Sequence, residues 1–146
     1  MRRIATFVVA LAVSLSGVAL MADKAKTADD LDKAMKRVGT AQTALNKAIQ
    51  AKAYADAKKQ AKQVDEGLED AQNFWVVNKK DDAVTFGKDA RAKVAALDKA
   101  LSAATPDATA VTAAFRDVGA SCGGCHRVYR VADENNNFIL KPGSVK

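Results

Sequence analysis

Proline, strand-like alternation and sulfur are all scarce in this chain. Apart from Pro106 and Pro142, no proline interrupts its 146 residues, and strand signals are nearly absent, which leaves long helices as the main element. Aromatics amount to five Phe, two Tyr and one Trp, while alanine is abundant. No block of like charge exceeds a lysine pair, Lys58-Lys59 or Lys79-Lys80. A dispersed basic surplus of this kind reads as a solvated surface and fits nucleic acid poorly. There is one histidine, His126, and two cysteines, Cys122 and Cys125. With no second histidine, no carboxylate pair on a seam and no nucleophile beside a base, the chain does not read as an enzyme.

The N-terminus does carry a clear signal. Met1-Arg2-Arg3 is a short basic start, and Ile4 to Leu20 runs on without a charge. That run is slightly short for a membrane span and has the basic and apolar regions of a secretory signal peptide. Gly17-Val18-Ala19 supplies small residues for cleavage after Ala19, and cleavage after Ala22 is the alternative. A retained N-terminal anchor is the other reading. The expected division is a signal peptide over 1–19, a bundle domain over 20–133 and a C-terminal tail over 134–146. Of 23 basic and 17 acidic residues, Arg2 and Arg3 leave with the leader, so the exported chain holds 21 against 17, a net charge of +4. A mild preference for acidic redox partners is compatible with that surplus.

Apolar residues recur at steps of three and four along four segments, the pattern of helices in a bundle. The first reads Leu31, Met35, Val38, Gln42, Leu45, Ile49, with one polar break at Gln42. The second reads Ala57, Ala61, Val64, Leu68, Ala71, Trp75, and the third Gly87, Ala90, Val94, Leu97, Leu101, with Phe86 beside its start. The fourth reads Val111, Phe115, Val118, Cys122, Cys125, Tyr129. Thr27 is placed to cap the first helix, Asp81 or Asp82 the third, and Thr105 the fourth with Pro106 behind it. "QAKAYAD" is a weak break between the first two helices, having no Gly or Pro. "ENNN" reads as a helix stop, followed by a small apolar anchor at Phe138-Ile139-Leu140. Short connections between four such helices predict an all-α, antiparallel up-down-up-down four-helix bundle.

All the rare chemistry lies in Ser121 to Arg130, "SCGGCHRVYR". On a helix Cys122 and Cys125 are i and i+3 and His126 is i+4, so the three share the apolar face of the fourth segment. C-x-x-C-H is the spacing that attaches a c-type haem, with two thioethers and an iron-ligating histidine on the same side. Gly123 and Gly124 weaken the helix by about 1 kcal/mol each relative to alanine, and they leave no side chain between the attachment points. The other readings fare worse. A disulfide at this spacing closes almost no loop. A thioredoxin-like site wants a βα setting, and zinc wants a fourth ligand. For the far side of the iron, Met35 is the only methionine outside the leader region and stands on the first seam, either as a soft ligand or as core filler.

These stretches resemble the class II cytochromes c, meaning cytochrome c′ and its low-spin relatives of the c-556 type. Ala113 to Arg130 is similar to the C-terminal signature, and Ala34 to Leu45, "AMKRVGTAQTAL", to the first-helix Met-Lys-x-x-Gly stretch. The resemblance implies one covalent haem c on Cys122 and Cys125, His126 as proximal ligand, and Met35 as distal ligand as in the low-spin members. It implies one-electron transfer with a redox partner protein in the periplasm, with no membrane association after cleavage and with a homodimer in some relatives. The alternatives are a five-coordinate cytochrome c′ that binds nitric oxide or carbon monoxide, and a haem-free helical interaction protein. Trp75, Phe115 and Val118 are expected as haem-pocket contacts, with ordinary core the equal reading for Trp75 and Phe115, and Arg130 either as a neutraliser of a propionate or as a solvated surface charge. Two departures stand out: Leu31 replaces an arginine that many members carry, and the tail past Arg130 is longer than usual.

Overall fold

The computed structural model describes residues 25–145, so the leader and its cleavage sites lie outside the described residues. Four helices follow one another: α1 (Ala28–Gln50), α2 (Tyr54–Val77), α3 (Asp81–Leu101) and α4 (Ala108–Tyr129). Each lies against the next in sequence, and of the neighbouring pairs α1 and α4 meet least, which gives the expected up-down-up-down bundle with an open α1–α4 edge. The four apolar stripes are the faces that turn inward. Leu31, Val38, Leu45 and Ile49 of α1 are buried, as is every seam residue of α2 from Ala57 to Trp75. On α4, Val111, Val118 and Tyr129 are buried, whereas Phe115 and the run 121–126 are half-buried.

The core has two parts. One, built on Leu45, Val64, Leu97, Val111 and Val118, fills the middle of the bundle. The other gathers Leu31, Phe74, Trp75, Ala83 and Tyr129 at the end where α2 and α4 finish. Met35 borders both. Helices α1 and α2 pack tightly at Gly67, where a Cβ would stand 2.6 Å from Val38 Cγ2. Beside that contact Arg37 Nη2 lies 2.6 Å from Asp70 Oδ2, a carboxylate only 8% exposed. Arg91 of α3 reaches back to α2, donating to Asp65 at 2.8 Å and Glu69 at 3.3 Å. Buried and half-buried carboxylates thus have guanidinium partners that fix neighbouring helices in register.

Helix ends show where local chemistry overrode the simplest reading. Thr27 caps α1 as expected: its hydroxyl oxygen accepts from the Asp30 N–H at 3.1 Å while Asp30 accepts from the Thr27 N–H at 3.0 Å. At α4 the cap is Asp107 rather than Thr105, its carboxylate accepting from the Ala110 N–H at 2.7 Å. Aspartate is the stronger N-cap, and Pro106 then stands outside the helix, where its missing N–H is not needed. Neither Asp81 nor Asp82 caps α3; Lys80 is the cap residue and makes no side-chain bond, leaving both acids in the first turn against the positive helix end.

The weak break between α1 and α2 is a Schellman turn without glycine. The Ala53 N–H donates to Ala48 O and the Lys52 N–H to Ile49 O, with Lys52 at φ 54°. The α2–α3 turn repeats it: the Lys80 N–H donates to Trp75 O and the Lys79 N–H to Val76 O, with Lys79 at φ 53°.

Past α4 the chain departs from the expected tail. Residues Arg130–Ala132 (β1) and Phe138–Leu140 (β2) pair antiparallel, Arg130 opposite Leu140 and Ala132 opposite Phe138. "ENNN" is therefore a hairpin turn and not a helix stop. Asp133 closes it by accepting from the Asn135 and Asn137 N–H groups at 2.9 and 2.7 Å, with Asn136 at φ 61°. The apolar anchor is also narrower than expected: Leu140 and Val145 pack on the end cluster, while Phe138 and Ile139 are exposed.

Candidate haem site

Helix α4 carries Cys122, Cys125 and His126 on one half-buried face, one turn before the helix ends at Tyr129. Both thiols are free, so the pair has not closed on itself. Burial raises the Cys125 thiol to about 11, helped by the Asp82 carboxylate and by Cys122. Burial also raises Cys122, against hydrogen bonds from Gln42 and Ser121 that pull it down. Thiols held in this direction are poor nucleophiles, unlike those of a disulfide oxidoreductase. Burial, followed by the Arg130 charge, depresses His126 below its ordinary range, which keeps the imidazole neutral and free to donate to a metal. Among the described residues no three His, Cys, Asp or Glu side chains converge as a metal cage, which leaves zinc without a binding set.

The glycines between the cysteines differ in role. A Cβ at Gly124 would stand 3.2 Å from Phe86 Cε1 and 3.3 Å from its Cδ1, so a side chain here presses on the α3 ring, which must give by a few tenths of an ångström. At Gly123 a Cβ would meet only the mobile end of Arg127, 3.3 Å from Nη1. Helix α1 faces the motif through Gln42, the polar break in its seam, whose side chain bonds Cys122. Since α1 and α4 run antiparallel, seven residues back from Gln42 brings α1 about 10 Å along, level with the turn from His126 to Tyr129. Met35 stands there, half-buried, and borders the end cluster as Cys125 does.

The floor of the site is held by a second set of residues. The Tyr129 hydroxyl donates to the Asp82 carboxylate, 2.6 and 2.7 Å from its two oxygens, joining α4 to the start of α3. Its ring lies 4.5 Å from that of Trp75, which packs edge-on against Phe74 at 4.9 Å. The sequence expectations for Trp75, Phe115 and Val118 place them in two groups: Trp75 belongs to the end cluster, whereas Val118 belongs to the middle core and Phe115 packs against it. Arg130 lies with its guanidinium 4.0 Å over the Phe138 ring. Phe86, Gln42 and Asp82 were not singled out as site residues from the sequence. Only Gln42 left a signal there, as a polar residue on an apolar stripe.

The observed set fits a covalently attached haem. Two free thiols and a neutral imidazole share one face, and the adjoining α1–α4 edge is the loosest between neighbouring helices of the bundle. The four-helix bundle carries this motif near the end of its last helix. Residues 70–130 match the family model described as Cytochrome C′, a segment that runs from late α2 through α3 and all of α4 and holds Cys122, Cys125 and His126. That segment is similar to the family, which implies covalently bound haem c. No curated protein and no solved structure matches the chain.

Proposed function

We propose that the chain is an exported, periplasmic one-electron carrier with a single haem c, attached through Cys122 and Cys125 and ligated by His126 and Met35. The observation that carries this reading is the level of Met35: α1 presents a thioether at the height of the His126–Tyr129 turn, across the open α1–α4 edge. A haem c supplies the ferric/ferrous couple that the side chains lack. His126 would ligate the iron from a helix, and α4 is itself fixed at that turn by Tyr129 on Asp82. Met35 sits between two packed clusters, so its backbone is not free to withdraw. Ligands on rigid elements reorganise little between redox states, which suits electron transfer. Phe86 over Gly124 and the half-burial of residues 121–126 exclude water from one edge and lower the local dielectric.

The test is carbon monoxide added to the reduced, haem-loaded protein. A closed iron leaves the spectrum unmoved, and Met35→Ala opens it to carbon monoxide. A native protein that binds carbon monoxide at once makes Met35 a shield over a five-coordinate iron and gas binding the function.

A further inference from the structure

The hairpin leaves α4 at the turn that carries His126 and comes back against α1. Arg130, the first residue of β1, donates its N–H to His126 O, so the strand starts on that turn itself. The Lys141 N–H donates to Tyr129 O at 2.8 Å and ties the return strand to the same helix end. Strand β2 also lies against α1, which makes the hairpin a bridge between the two neighbouring helices that otherwise meet least.

The bridge is apolar on its inner side. Leu140 and Val145 are half-buried and pack on the end cluster, to which α1 contributes Leu31 and Ala34 and α4 contributes Tyr129. Met35 and Cys125 pack on that same cluster. Two paired strands of three residues do not hold together alone in water. This pair is stiffened by the Asp133 turn and by the Arg130 guanidinium 4.0 Å over the Phe138 ring. A second turn, in which the Ser144 N–H donates to Lys141 O at 3.1 Å, brings Val145 back to the bundle. The rest of the hairpin's order comes from its seat on the two helices, and α1 gains a hold in return. On its other side the start of α1 is held by α2, where Asn73 Nδ2 donates to Ala25 O at 3.0 Å. The hairpin supplies the hold on the α4 side.

From these contacts we infer that the hairpin is a strap across the α1–α4 edge: seated through Leu140 and Val145, it fixes the Met35 turn of α1 against the His126 turn of α4. Leu140 and Val145 are positioning residues, acting through α1 on the side chain it carries. Local opening at this end draws Met35 away from α4 and admits small ligands, and the strap makes that opening rare. This consequence rests on the electron-carrier reading with Met35 as a ligand, whereas the strap itself rests on packing and hydrogen bonds alone. The family match stops at residue 130, so the strap lies outside the segment that the match describes.

The experiment uses the haem-loaded, oxidised full chain and two readings. Imidazole added in excess reads how often Met35 leaves the iron, and amide hydrogen exchange over residues 31–35 reads how often that turn of α1 opens. Leu140→Ala with Val145→Ala speeds both by about tenfold, while Leu140→Ile stays near the parent. Leu97→Ala, cut from the middle core, lowers the urea midpoint and leaves both rates near the parent. Should the alanine pair yield no haem protein, Asp133→Ala, altered only in the hairpin turn, makes the same comparison. Unchanged exchange over residues 31–35 in the strap variants overturns the inference. Equal acceleration by Leu97→Ala overturns it too, since the effect is then general stability. Faster exchange in a protein whose native iron already takes up carbon monoxide keeps the strap and fails the Met35 ligand.

Discussion

Replacing Tyr129 by phenylalanine removes one oxygen from the site and leaves the ring against Trp75. That oxygen donates to the Asp82 carboxylate and ties the end of α4 to the start of α3. A hydrogen bond to a charged group contributes about 1.5–3 kcal/mol when shielded. Asp82 is open to water, so screening brings the expected loss for the Tyr129 hydroxyl down to about 1 kcal/mol. Tyr129→Ala also removes a ring that is 8% exposed, and costs about 3–5 kcal/mol. Urea unfolding of the three proteins reads both values. The pH dependence gives a sharper signature. Burial, and then the Asp82 carboxylate, raise the Tyr129 hydroxyl to about 12 from 10.0. Its contribution is whole below pH 10 and disappears as pH rises toward 12, because the unfolded chain releases that proton first. The Tyr129 hydroxyl in turn holds the Asp82 carboxyl below its ordinary 3.8, so that contribution is present above this value and is lost as pH falls through the lower folded value. Tyr129→Phe therefore flattens both limbs of the stability profile. Equal losses in variant and parent between pH 10 and 12 would refute the Tyr129–Asp82 link.

Three further outcomes follow from named contacts. Lys52→Gly and Lys79→Gly, each at a left-handed turn position, raise stability by about 1 kcal/mol apiece in urea titrations, since glycine adopts that backbone without strain. Gly67→Ala lowers stability by about 1–3 kcal/mol despite a better helix propensity, because its Cβ meets Val38 Cγ2; a stabilised variant would show that α1 and α2 part easily there. Gly124→Ala pushes on the Phe86 ring and lowers the fraction of exported protein carrying covalent haem, measured by intact mass, whereas Gly123→Ala changes it little because Arg127 can swing aside.

The bundle was legible because its four stripes keep the helical period and the core needs nothing else: every α2 seam residue named from the sequence is buried. The motif was legible because its spacing puts three rare side chains on one face. Helix ends were harder to read. Asp107 and Thr105 are both good caps around Pro106, and only the path of the chain chooses between them. The two Schellman turns were hidden because lysine, not glycine, holds the left-handed position. The hairpin was hidden because its strands are three residues long and are fixed by the Asp133 turn and by the Lys141 N–H donating to Tyr129 O, both outside any periodic pattern. Phe86 and Asp82 gained their places through α3 packing across α4, a long-range effect with no local signal.

X-ray absorption at the iron edge of the exported, oxidised protein tests the axial ligands most directly. With His126 and Met35 both bound, the iron's first shell contains one sulfur atom, and Met35→Ala loses it while covalent haem on Cys122 and Cys125 remains. A first shell of nitrogen alone in the native protein, unchanged by Met35→Ala, would contradict the account and return Met35 to the core.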